Sequence, residues 1–195
     1  MGSDIMEEMT VYFDSGGKHN TEATLELAKK KAVKRNIRNV VIASSSGFSA
    51  EKAFEVFKDT AVRLTIISLG TNARSSFSEK VKSRLEEAGH NLCFSGDITY
   101  EFPNIAITTL RRFSEGIKVC VQVMLVAVEA GFIPAGQEVV AVGGSGPRGY
   151  EKGGGADTAI VIEAMKSSDF FKLEDTPDFP KEKRRKIREI ISKPR

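Results

Sequence analysis

The chain has 195 residues, 29 of them Lys or Arg and 26 Asp or Glu, for a formal charge of +3, and 41% of it is hydrophobic. That describes one globular domain with a short appendage, large enough to bury a core without staples. Cys93 and Cys120 allow one bridge at most and fit a reducing compartment, and the longest apolar runs fall well short of the roughly 20 residues a membrane span needs. No secretory leader opens the chain, so a cytoplasmic protein is expected.

Residues 1–8 are taken as a leader, and residues 9–13 add an edge strand. Asn20 and Thr21 offer a cap to a helix with Leu25, Ala28 and Ala32 on one face. The run NVVIA at 39–43 reads as a strand buried on both faces, SSSGFS at 44–49 as a turn, and 50–58 as a helix. A second strand (LTIIS, 64–68) follows, then a helix opened by Ser76 and Glu79 spaced as a capping box and stopped at Gly89. Residues 91–94 form a third strand. Residues 104–131 are helical, broken at Gly116. The fourth and fifth strands, 138–142 and 158–162, flank a glycine-rich loop with no helix between them, so that pair is expected to be antiparallel.

The expected fold is therefore α/β: three α/β/α layers around a mostly parallel five-stranded sheet with an antiparallel last strand. The ligand-binding domain would span 9–165, and 166–195 would be an irregular segment plus a basic terminal helix. Residues 181–195 hold eight basic and two acidic residues, a net of +6, which leaves residues 1–180 at −3. A slightly acidic body with three tyrosines and no tryptophan disfavours nucleic acid.

The strongest local signal for chemistry is the turn after NVVIA. Ser44, Ser45, Ser46 and Ser49 supply four hydroxyls around Gly47 and Phe48, where a strand's carboxyl end meets a fresh helix N-terminus. Ligands of open α/β sheets bind at such places, and phosphate suits the helix dipole and its unpaired N–H groups. The plainer alternative is a helix cap in a polar turn. Gly144, Gly146 and Gly149 spell G-x-G-x-x-G, but Pro147 interrupts it and the chain runs into a strand, so dinucleotide binding by that motif is rejected. The loop could still cover a ligand, with Arg148 and Lys152 supplying charge, or be a plain hairpin connection. Asp157 and Thr158 either hydrogen-bond a ligand or close an Asx turn. Asn20 serves as a cap or as a second anion contact after Gly16 and Gly17. Arg112 reads as a solvated face, with Arg111 and Lys118 left open. Zinc spacing, a G-x-S-x-G elbow and a Walker A motif are absent from the sequence, and both cysteines read as buried small hydrophobes.

The order helix, NVVIA, SSSGFSA, helix, LTIIS, and later GQEVVAVGGSG with GADTAIVI, resembles the carboxyl-terminal domain of pyruvate kinase. More closely, the chain resembles small stand-alone prokaryotic, mainly archaeal, proteins of that fold. Their N-T-x-x-T-L, S-x-S-G-x-[ST]-A, T-L-R-x-F-x-x-G-x-K-V and G-G-[ST]-x-x-x-G-A-D-T-A patterns match at 20–25, 44–50, 109–119 and 143–159. That resemblance implies a flavin mononucleotide (FMN) site without an established activity. The contacts it implies are Asn20, Thr21, Ser44, Ser45, Ser46, Gly47, Phe48, Ser49, Arg111, Gly116, Lys118, Gly143, Gly144, Ser145, Asp157 and Thr158. Phe48 stands where many pyruvate kinases carry a basic residue, which points away from a sugar bisphosphate. Lys118 or Arg111 would face the electron-rich N1/O2 edge of the ring. The expected function is thus binding of a phosphorylated small molecule, FMN foremost. The alternatives are a flavin-dependent oxidoreductase and a regulatory or interaction module answering to a phosphorylated metabolite, with a homo-oligomer compatible with each.

Overall fold

A computed structural model describes residues 7–69, 77–146, 154–172 and 186–195. In chain order the elements are β1 (Val11–Phe13), α1 (Thr21–Lys34), β2 (Asn39–Ala43), α2 (Phe48–Phe57), β3 (Arg63–Ser68), α3 (Glu79–Glu87), β4 (Asn91–Phe94), α4 (Asn104–Arg111), α5 (Glu115–Glu129), β5 (Glu138–Gly143), β6 (Thr158–Glu163), the one-turn α6 (Ser167–Phe170) and β7 (Ile187–Pro194). The strands form one sheet in the order β1-β7-β6-β5-β2-β3-β4. Pairings are parallel except that β6 runs against both β5 and β7.

Alternate strand residues feed two cores, as the two-residue period of a strand requires. Val40, Ile42, Ile66, Val140 and Val161 face α1, α2 and α3. Val41, Ile67, Val139, Ala141 and Ile160 face α5. Helices therefore cover both faces, and the central strands are continuous apolar runs because neither face meets water. Among the described residues no helix is long and apolar enough to cross a membrane.

Four expectations need correction. The sheet has seven strands rather than five, and β6 lies inside it rather than last. The expected basic C-terminal helix is, where described, the strand β7, inserted between β1 and β6. Adjacent Ile190 and Ile191 point to opposite faces and serve the two cores, a pattern that suits a strand and not a one-sided helix. The charges around them are paired: Arg188 and Lys186 with Glu163, Glu189 with Lys31 and Arg35. In the third correction, the helical stretch 104–131 breaks at residues 112–114, where the Ser114 hydroxyl caps α5 by accepting from the Ile117 N–H at 2.9 Å. Gly116 lies in the first turn of α5, backed so closely onto β6 that a Cβ there would overlap the Thr158 side chain. Fourth, Glu8, assigned to the leader, pairs with Lys31 and Lys34 of α1. The cap of α3 is Ser78, accepting from Val81 N–H; Ser76 lies outside the described residues.

Candidate functional site

A cleft of about 500 Å³ opens at the carboxyl ends of β2, β3 and β5, a volume ordinary for a small-molecule site. Strand order reverses between β2 and β5, because the chain leaves β2 toward β3 and β4 and returns to β5 on the other side. Such switch points are where open α/β sheets bind ligands. Ser44, Ser45, Ser46 and Ser49 form one wall and Gly144, Gly146, Gly154 and Gly155 another. Ala43, Leu69 and Val119 supply apolar surface, and Glu115 sits at the start of α5.

The serine wall is shaped by Gly47, which turns the chain into α2 with φ +90°, a left-handed conformation costly for other residues. The Ser44 hydroxyl accepts from Ala50 N–H at 3.2 Å and Glu51 N–H donates to the Gly47 carbonyl, so both N–H groups are engaged. Ser45 donates to the Leu69 carbonyl at 2.8 Å. The hydroxyls of Ser46 and Ser49, and the N–H groups of Phe48 and Ser49, have no protein partner among the described residues. Ser49 is only 3% exposed. A nearly buried hydroxyl without a partner, beside two open N–H groups at the positive end of a ten-residue helix, is a set of donors suited to an anion.

The other expected contacts divide differently. Asn20 donates to the Ser15 carbonyl, and Thr21 donates to the Lys18 carbonyl while accepting from Ala156 N–H. Asp157 accepts from the N–H groups of Gly17 and Ser145 and from the Thr158 hydroxyl. These four side chains are spent on tying loops together and do not line the cleft. Gly143 and Gly116 pack backbone against backbone and against Thr158, while Gly144 reaches the cleft. Phe48 lies at the head of α2, outside the cleft lining, with the Lys18 ammonium 3.9 Å from its ring centre. Arg148 and Lys152 lie outside the described residues.

Neither Arg111 nor Lys118 is a free cation. Arg111 Nε lies 2.6 Å and Lys118 Nζ 2.8 Å from the two carboxylate oxygens of Glu115. Burial alone would raise the Glu115 carboxyl, but the hydrogen bonds from Arg111 and Lys118 outweigh it and hold the group below its ordinary value. Glu115 was not anticipated, because an acid in the first turn is what almost any helix carries. Its place in the cleft wall depends on where α5 docks. Burial raises both thiols, Cys120 far above its ordinary value, so they behave as small hydrophobes. Among the described residues no group of three His, Cys, Asp or Glu side chains could hold a metal ion.

The family model of the pyruvate kinase alpha/beta domain matches residues 22–162, well over half of the chain, from α1 through β6 and including the whole serine wall.

Proposed function

The chain belongs to the pyruvate kinase alpha/beta domain family, and from that footing we propose that its cleft binds a phosphorylated small molecule, with FMN the best candidate. The observation that carries this reading is the donor set at the head of α2: the hydroxyls of Ser46 and Ser49 and the N–H groups of Phe48 and Ser49, all without a protein acceptor or donor among the described residues. A phosphate monoester brings acceptor oxygens and nearly two negative charges, and satisfies all four at once.

FMN also suits the rest of the cleft. Ser46, Ser49 and the α2 amides would hold its phosphate, and Leu69, Val119 and Ala43 would flank a flat heterocycle with apolar surface. A bound flavin supplies reversible electron transfer. The chain's own part is to anchor the phosphate, exclude water from one ring face and present the paired Glu115, Arg111 and Lys118 nearby. Because both cations are committed to Glu115, an anionic ring edge would meet that pairing and not a bare charge.

The test is calorimetry with FMN and riboflavin. Ser46 and Ser49 are the informative pair, since Ser44 also caps α2 and its loss would cost helix stability. Wild-type protein should prefer FMN over riboflavin by at least tenfold. Replacing Ser46 and Ser49 together by Ala should weaken FMN by about two orders of magnitude or more, in line with about 1.5–3 kcal/mol for each of the two charge-assisted hydrogen bonds, and leave riboflavin within twofold. Equal affinity for the two flavins would overturn the phosphate reading.

A further inference from the structure

Lys18 has an unusual position. It lies on the short 3₁₀ turn Lys18–Asn20 that leads into α1, and among the described residues its ammonium meets no carboxylate. The group instead rests on the Phe48 ring, 3.9 Å from its centre. Phe48 is the first residue of α2. Helical side chains lean toward their own N-terminus, so the ring and the ammonium on it lie off the positive end of that helix.

A cation is disfavoured at a helix N-terminus, and the face of one phenylalanine is a weak counterpart for it. Two further features are independent of Lys18's charge. Ser49, nine-tenths buried and more, aims an unpartnered hydroxyl into the same region of the cleft. The backbone of Gly155, a wall of that cleft, sits directly against the Lys18 Cα. Arg111 and Lys118 are already paired with Glu115. Lys18 is therefore the cation near the serine wall that the described residues leave without an anion.

We propose that Lys18 is an anion anchor of the cleft: its ammonium neutralises a phosphate bound at the head of α2, and the Phe48 ring holds it off that helix end in readiness. The proposal rests on the phosphate reading above and adds a charge to it. A phosphate monoester carries nearly two negative charges near pH 7, more than a helix terminus equivalent to about half a charge can balance. Lys18 supplies a full positive charge from a different element, α1's leading turn, so that α1 and α2 would close on the phosphate together. No covalent step is involved.

The test is calorimetric titration of the full chain with FMN and with riboflavin at two salt concentrations, for wild type, Lys18→Met, Lys18→Arg and Phe48→Leu. Lys18 is exposed, so its two substitutions should leave the thermal midpoint nearly unchanged, while Phe48 is half-buried and Phe48→Leu is read on protein shown to unfold cooperatively. Lys18→Met should weaken FMN at least tenfold, leave riboflavin within twofold and reduce the salt dependence of FMN binding. Lys18→Arg, which keeps the charge and can still stack on Phe48, should retain FMN within about threefold. Phe48→Leu, which keeps the charge but removes its platform, should fall between wild type and Lys18→Met. If wild type prefers FMN and Lys18→Met keeps that preference and its salt dependence, this proposal is overturned and the phosphate reading survives. Equal losses of FMN and riboflavin in Lys18→Met would also overturn it, marking Lys18 as a structural residue. A wild type that does not distinguish the two flavins overturns both readings.

Discussion

The Asp157 carboxylate accepts the N–H of Gly17 at 2.9 Å, joining positions 140 residues apart. The same oxygen accepts from Ser145 N–H at 3.1 Å, and the other takes the Thr158 hydroxyl at 2.8 Å. Three segments meet on one side chain that is only 1% exposed: the turn before α1, the loop after β5 and the start of β6. Asp157 builds the floor on which the glycine wall and Lys18 stand, so its effect on a ligand is indirect.

Removing that acceptor strands donors that water cannot easily reach. Each buried donor left without a partner costs about 1–3 kcal/mol, so Asp157→Ala should lower the unfolding free energy by roughly 2–5 kcal/mol. Asp157→Asn, which keeps one carbonyl oxygen, should cost less. Denaturant unfolding followed by far-UV circular dichroism measures both. A midpoint unchanged in Asp157→Ala would mean that these loops hold their places without it.

A second prediction concerns β7. The strand is hydrogen-bonded to β1 on one side and β6 on the other, and Ile191 is 3% exposed in the core beneath α1. Truncation before residue 187 would leave β1 without its partner and open an edge on β6. The truncated protein should be insoluble or lack a cooperative transition. In the full-length chain, Ile191→Ala should cost about 2–5 kcal/mol, the usual range for a large buried aliphatic. A truncated chain that unfolds cooperatively at the full-length midpoint would show β7 to be an accessory strand.

The contrast between β7 and the central strands shows what local sequence carries. The runs at 39–43 and 91–94 match β2 and β4, and those at 138–142 and 158–162 fall one residue short of β5 and β6. In β2, β5 and β6 those runs are rich in buried β-branched residues, the mark of strands covered on both faces, while β4, Asn-Leu-Cys-Phe at the sheet edge, is shorter and only partly buried. In β7 three isoleucines share the strand with three charged residues, and the partners of Arg188 and Glu189, namely Glu163, Glu138, Lys31 and Arg35, come from distant parts of the chain. A charge run looks solvated until those partners are known. The same limit governs the cleft. The serine wall is legible because its donors are consecutive and follow a strand. The Lys18–Phe48 contact and the docking of Glu115 arise only once α1 packs on α2 and α5 on the sheet. Asn20, Thr21, Asp157 and Thr158 were expected beside a ligand because polar residues at strand and helix ends serve both purposes; here their hydrogen bonds are internal.

The last prediction is a dependence on pH, centred on Glu8. Hydrogen bonds from Lys34 and Lys31 at 2.7 and 2.9 Å lower its carboxyl from 4.5 to about 2. Lys31 is shared with Glu189 of β7, so the cluster ties the leading segment and α1 to the strand the sequence concealed. A carboxyl whose folded value lies below its unfolded value stabilises the fold above the unfolded value. That contribution is therefore complete above about pH 4.5 and fades as pH falls through about 2, below which Glu8 is protonated in both states. Lys31 has the opposite sign: burial lowers its affinity for the proton, but Glu189 and Glu8 outweigh that and raise it above 10.5, so its contribution is present below that value and fades in strong base. Glu8→Gln should be less stable than wild type at pH 6, with the gap between the two denaturation midpoints narrowing below pH 4 and closing near pH 2. High salt should narrow the gap at pH 6 as well, because Lys34 is largely exposed and its pairing is screened. A gap of the same size at pH 6 and pH 2 would mean that Glu8 acts by packing and not by charge.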